Sequence, residues 1–174
     1  MKKLSIIIVI LSILASCAQT GSTPEKGKNT NEEQTNVSSG WNDSFLLGDE
    51  KIDKQHQEVY EKTNELIELC KEESDFDKLF EMLGAIVNHT VQHFADEEAL
   101  QLACNFPEYE SHKKIHTDFI ATATELVKKL ETSRSVEELA NALNNTVLPW
   151  VINHIQEEDL KISESIKKNT ENNL

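Results

Sequence analysis

His93 and Glu97 stand four residues apart, as do His112 and His116, while His154 and Asp159 stand five apart. On a helix, a spacing of four stacks two side chains on one face, one turn apart. An imidazole nitrogen and a carboxylate oxygen then point into one volume, where a transition metal can sit. With His56, these residues make five imidazoles and two carboxylates. That is too many donors for one ion. It suits two ions, with Glu97 and Asp159 bridging between them. Softness alone fits iron, zinc and copper equally.

The elements that position these residues read as all-α. Residues 41–174 carry little Gly or Pro and no alternating strand pattern. Trp41 to Lys51 reads as an extended arm, with Trp41, Phe45 and Leu46 available for packing. Val59, Leu66, Ile67 and Cys70 recur at helical spacing over a first helix from Ile52 to about Lys71. Ser74-Asp75-Phe76-Asp77 predicts a capping box for a second helix reaching about Ala103. Asn105-Phe106-Pro107 ends it, and a third helix spans about Glu108 to Glu131. Ser135 opens the last helical region, to about Lys168, with Pro149 kinking or breaking it near Asn145–Pro149. Short loops force antiparallel neighbours, so the expected fold is an up-down-up-down four-helix bundle with an N-terminal arm.

Heights then agree. His56 is early in the first helix, His93 late in the second, His112 and His116 early in the third, and His154 late in the fourth. All fall toward one end of the bundle, which scattered core histidines would not do. His89, one turn before His93, is expected to be a surface or packing residue. Glu98 points about 100° around the helix from Glu97 and, like Asp53, is expected to support ligands from outside or to sit at the surface. Gln101 continues the Glu97 stripe but is expected to reach solvent at the bundle end. The alternative is an inward Gln that hydrogen-bonds a bound oxygen species. Cys70 and Cys104 end successive antiparallel helices, on the order of 40 Å apart, and are expected to be free, buried thiols.

The start of the chain sets a compartment. Lys2 and Lys3 precede an uncharged apolar run from Leu4 to Ala15, too short to span a membrane and typical of an export signal. Leu14-Ala15-Ser16-Cys17 resembles the lipobox of bacterial lipoproteins. Residues 1–16 are thus expected to be a lipoprotein signal peptide, with Cys17 lipidated, and residues 17–40 a flexible tether. The expected location is the cell envelope, lipid-anchored on the periplasmic side. Ala18, in place of Asp, points to the outer membrane where a cell has two. Loss of Lys2 and Lys3 takes the formal net charge from -14 to -16. Such a chain repels nucleic acid and anionic membrane surfaces, so attachment is expected through the lipid.

Gly48…Ile52-Asp53-Lys54-Gln55-His56, His93-Phe94-x-x-Glu97-Glu98, Phe106-Pro107…His112-x-x-x-His116 and Trp150-x-x-x-His154-x-x-x-x-Asp159 together resemble the bacterial hemerythrins. The likeness runs from Trp41 to about Lys161. It implies a non-haem di-iron centre that binds dioxygen reversibly, with two iron ions per chain, carboxylate- and oxo-bridged. By that resemblance His112, His116 and His154 fill one iron. His56 and His93 bind the other, which keeps an open position for dioxygen, and Glu97 and Asp159 bridge both. Apolar side chains keep water from such a position, and Ile52, Phe94, Leu100, Trp150 and Ile155 are candidates by spacing. Family relatives often carry Met where this chain has Gln101.

The expected function is dioxygen storage, delivery or sensing by a monomer that is not an enzyme. The alternatives are a di-iron enzyme reducing peroxide or nitric oxide, and an iron buffer. Ferritin-like oxidases use more carboxylates in Glu-x-x-His pairs, which this histidine-rich set lacks, and two ions per chain make a poor store.

Overall fold

Carboxylates and a hydroxyl cap the starts of three of the helices. The structure, a computed structural model, describes residues 41–172. The signal segment, Cys17 and the tether lie outside the described residues. Helix α1, Glu50–Glu72, starts two residues before the expected Ile52 because the Asp49 side chain accepts from the amides of Lys51 and Ile52. Helix α2, Phe76–Ala103, is capped by Asp75 rather than Ser74, since the Asp75 carboxylate accepts from Asp77 N. Helix α3 is Tyr109–Ser133. Ser135 caps α4, Val136–Ala142, by accepting from Glu138 N, as expected.

The fourth helical run is not one regular helix. A π-helical turn, Leu143–Val147, separates α4 from α5, Leu148–Glu157, and Leu148 N–H reaches back five residues to Leu143 O. Pro149 explains it: proline has no N–H to give and crowds the preceding turn, so the chain widens there instead of breaking. A 3₁₀ turn, Asp159–Lys161, follows, and then α6, Ile162–Asn172.

The expected extended arm is shorter and folded. Asn42 caps a 3₁₀ turn at Asp43–Phe45, and Phe45 and Leu47 are buried while Leu46 is exposed. Gly48 turns the chain at φ 102, a conformation that favours glycine. Asp53 neither sits idle at the surface nor touches a histidine. Its carboxylate accepts from Leu47 N at 2.7 Å and Gly48 N at 3.1 Å, latching the arm to α1.

The four helical runs pack as the expected up-down-up-down bundle. The buried stripe of α1 runs Ile52, His56, Val59, Thr63 and Leu66, alternating by four and three, with Ile67 beside it. That of α2 includes Leu79, Leu83, Ile86, Thr90, His93, Glu97 and Gln101. One end of the shared core is apolar, with Leu66, Leu79, Leu130, Leu139 and Leu143 all essentially inaccessible. Burial of each such side chain contributes roughly 1.5–3 kcal/mol. At the other end the same core positions carry imidazoles, carboxylates and an amide, and the apolar half must supply the stability that these do not. Among the described residues no helix is long and apolar enough to cross a membrane. Cys70 and Cys104 are free; Cys104 is buried as expected, but Cys70 is only half-buried.

Candidate metal centre

All seven predicted residues converge in the polar half of the core, and all are buried. They form two nests of donor atoms that share both carboxylates. One nest joins Glu97, His112, His116, His154 and Asp159; the other joins His56, His93, Glu97 and Asp159. In the first, His112 Nε2 is 2.8 Å from Glu97 Oε1 and 3.3 Å from Asp159 Oδ1. His154 Nε2 is 3.0 Å from Asp159 Oδ1. In the second, His56 Nε2 is 3.1 Å from Asp159 Oδ2, and His93 Nε2 is 3.3 Å from Glu97 Oε2.

The first nest is hard to satisfy with hydrogen atoms. His116 Nε2 lies 3.0 Å from the Nε2 atoms of both His112 and His154. A neutral imidazole with its proton on Nδ1 offers only a lone pair at Nε2. Beyond these contacts within the nests, His56 Nε2, Glu97 Oε2 and both Asp159 oxygens are buried with no further hydrogen-bond partner. Lone pairs aimed inward from three imidazoles, between two carboxylates, fit a cation. This donor set of nitrogen and oxygen suits a transition metal.

Electrostatics agree on the sign. Burial and the nearby Asp159 raise Glu97, but hydrogen bonds from His112 and His93 outweigh both and hold it at about 2. Asp159 is likewise raised by burial and held well below the usual carboxylate range by His112, His154 and His56. Burial lowers His112, yet hydrogen bonds to Asp159 and Glu97 outweigh it and raise the ring to about 9. His116 moves the other way, lowered by burial. These opposed shifts favour a proton held between His112 and the two carboxylates where no cation is bound.

Local structure explains each position. His93, Glu97 and Gln101 fall on one stripe of α2. His112 and His116 are one turn apart at the start of α3. His154 and Asp159 would diverge on a regular α-helix. They meet because α5 ends at Glu157 and a 3₁₀ turn begins at Asp159.

Two expectations are corrected. Gln101 does not reach solvent: it is fully buried, and its Nε2 donates to Glu97 Oε1 at 2.5 Å. The predicted apolar wall is partly different. A cavity of about 10 Å³ for the centre of a water-sized sphere adjoins His56, His93, His154 and Asp159. Phe94, Trp150 and Ile155 line it as predicted, but Ile52 and Leu100 do not, and Val59, Thr90 and Val151 were missed. Val59 and Thr90 stand one turn from His56 and His93 on the same stripes, which is the signal that marks them. Phe94 stacks on His116 at 3.9 Å between ring centres, and Trp150 stacks on His154 at 4.4 Å.

Of the remaining predicted residues, His89 is half-buried, 3.5 Å from Glu58, and outside both nests. Glu98 stands outside the donor cluster and faces His116 Nδ1 at 3.3 Å.

The family described as Hemerythrin HHE cation binding domain matches residues 47–164, two thirds of the chain and the whole of both nests. The chain belongs to the hemerythrin family. Among hemerythrin relatives, the bacteriohemerythrin of Stenotrophomonas maltophilia is 27% identical over 127 residues, covering 73% of this chain and 80% of that one. The bacteriohemerythrin of Clostridium acetobutylicum is 27% identical over 123 residues, 68% of this chain and 94% of its own length. The myohemerythrin of Riftia pachyptila is 31% identical over 121 residues, 70% of this chain and 88% of that one. The hemerythrin match begins at Leu47, so the latch that Asp53 makes to Leu47 and Gly48 falls inside it.

Proposed function

We propose that this chain holds two non-haem iron ions and binds dioxygen reversibly, as a binding protein rather than an enzyme. His112, His116 and His154 would hold one iron and His56 and His93 the other, with Glu97 and Asp159 available to both. The observation that carries this reading is the sharing of Glu97 and Asp159 between a three-imidazole nest and a two-imidazole nest beside an apolar cavity. Membership of the hemerythrin family supports iron and dioxygen as the occupants.

Iron, when bound, would supply the electrons for reversible dioxygen binding. The chain's own residues do the rest. Two buried carboxylates set the charge that holds two cations close together. Three imidazoles would serve one nest and two the other, which would leave a position for a ligand on its cavity side. Val59, Phe94, Trp150, Val151 and Ile155 surround that position and exclude bulk water, whose protons would make oxygen release irreversible. A lipid on Cys17 holds the domain at the cell envelope, through residues 17–40 as a tether, and the protein acts as a monomer.

The test is cyclic. The iron-loaded chain is exposed to air and then stripped of oxygen, repeatedly, while its visible spectrum is followed. A change that reverses with each cycle supports the reading. Immediate irreversible oxidation, or sustained turnover of peroxide or nitric oxide, would overturn it.

A further inference from the structure

The imidazoles of the two nests are not held alike on their outer nitrogens. His116 Nδ1 lies 3.3 Å from Glu98 Oε1. The other Glu98 oxygen pairs with Lys113 Nζ at 3.2 Å, and Lys113 also donates to the Tyr109 hydroxyl at 3.1 Å. Glu98 is therefore itself held in place from the surface. His93 Nδ1 faces a different group, the Gln55 amide oxygen, at 3.4 Å. The Gln55 nitrogen turns outward and donates to Asp96 at 2.8 Å, and Asp96 pairs with Lys51. The Nδ1 atoms of His56, His112 and His154 have no hydrogen-bond partner among the described residues.

A carboxylate at Nδ1 does two things to an imidazole. It fixes the proton on Nδ1, so the Nε2 lone pair faces the nest. It also draws that proton outward and makes the ring a stronger donor at Nε2. A neutral amide does the first and much less of the second. His116 cannot escape by turning, because Phe94 lies flat against its ring, 9° from parallel. Within the two nests His116 is thus the one ring with a charged outer partner.

We propose that Glu98 is a positioning residue that makes the nest of His112, His116 and His154 the tighter metal site, so that this nest fills first. This rests on reading both nests as metal sites. A third imidazole favours the same nest, so an affinity gap alone does not identify Glu98; the substitution does. Glu98→Gln is nearly isosteric and gives His116 the kind of partner that His93 has.

The full chain, freed of metal, is titrated with ferrous iron under anaerobic conditions. The unaltered chain is expected to bind two equivalents in two resolved steps. Glu98→Gln weakens the tighter step by roughly 10–100-fold, the usual cost of losing such a partner, and leaves the weaker step unchanged. Gln55→Leu does the reverse, weakening only the second step. Should Glu98→Gln fail to fold by circular dichroism, Lys113→Met carries the test, since it leaves Glu98 present but unheld and weakens the same step. An unchanged tighter step, or equal weakening of both, overturns the assignment of Glu98 while the two-metal reading stands. Failure of the unaltered chain to bind two ferrous ions removes that reading, and the proposal with it.

Discussion

The Nε2 atom of His112 stands 2.8 Å from Oε1 of Glu97. The same atom is 3.3 Å from Asp159, so one imidazole meets both carboxylates that the nests share. His112→Ala should therefore release metal from the three-imidazole nest and lower iron from two per chain to one or fewer. His89→Ala should keep two, because His89 lies outside both nests beside Glu58. Metal analysis of the two purified variants checks this.

The metal-free chain should lose stability as pH rises. His112 is raised from 6.5 to about 9 by its two carboxylates. A group raised in the folded state stabilises fully below its unfolded value and ceases to do so as pH passes its folded value. Urea unfolding should show a loss on the order of 3 kcal/mol between pH 6 and pH 10. With metal bound the ring carries no such proton, and the decline should vanish. A flat profile for the metal-free chain would contradict this charge arrangement.

Gln101 has offsetting terms. Its hydrogen bond to the Glu97 carboxylate contributes about 1.5–3 kcal/mol, but its own Oε1 is buried without a partner, at a cost of about 1–3 kcal/mol. Gln101→Leu, similar in volume, removes both and should change the stability of the metal-free chain by less than about 1 kcal/mol. Gln101→Ala leaves a hole as well and should cost roughly 2–4 kcal/mol. Equal losses for the two variants would mean that the hydrogen bond dominates.

Asp53 fastens the arm through two amides. Asp53→Ala should cost about 2–3 kcal/mol for the lost charged hydrogen bonds. It should also expose the segment ahead of α1 to proteolysis, because Phe45 and Leu47 depend on the latch for burial. Urea midpoints and cleavage mapping read the two effects separately.

The helices and the seven clustered residues were legible in the sequence because both obey one period. His93 and Glu97 are core positions of α2 by the same rule that buries Leu79 and Leu83. Gln101 obeys that rule too. It was misjudged because glutamine is usually exposed, whereas the stripe outweighed residue type. Pro149 announced an irregularity but not its kind; whether a proline breaks a helix or widens it depends on packing at both ends of the segment. The five-residue step from His154 to Asp159 made sense only with the 3₁₀ turn in view. The role of Gln55 was the hardest to read, and the choice between outer support and surface for Glu98 stayed open, since an outer partner depends on rotamers rather than on spacing.

The central claim is that Glu97 and Asp159 join two irons into one unit. Electron paramagnetic resonance of the chain loaded with two irons and fully oxidised tests it most directly. If Glu97 and Asp159 hold two ferric ions together, their spins pair and the oxidised protein should give almost no signal. A strong low-field signal of isolated ferric ions, accounting for both irons, would contradict it.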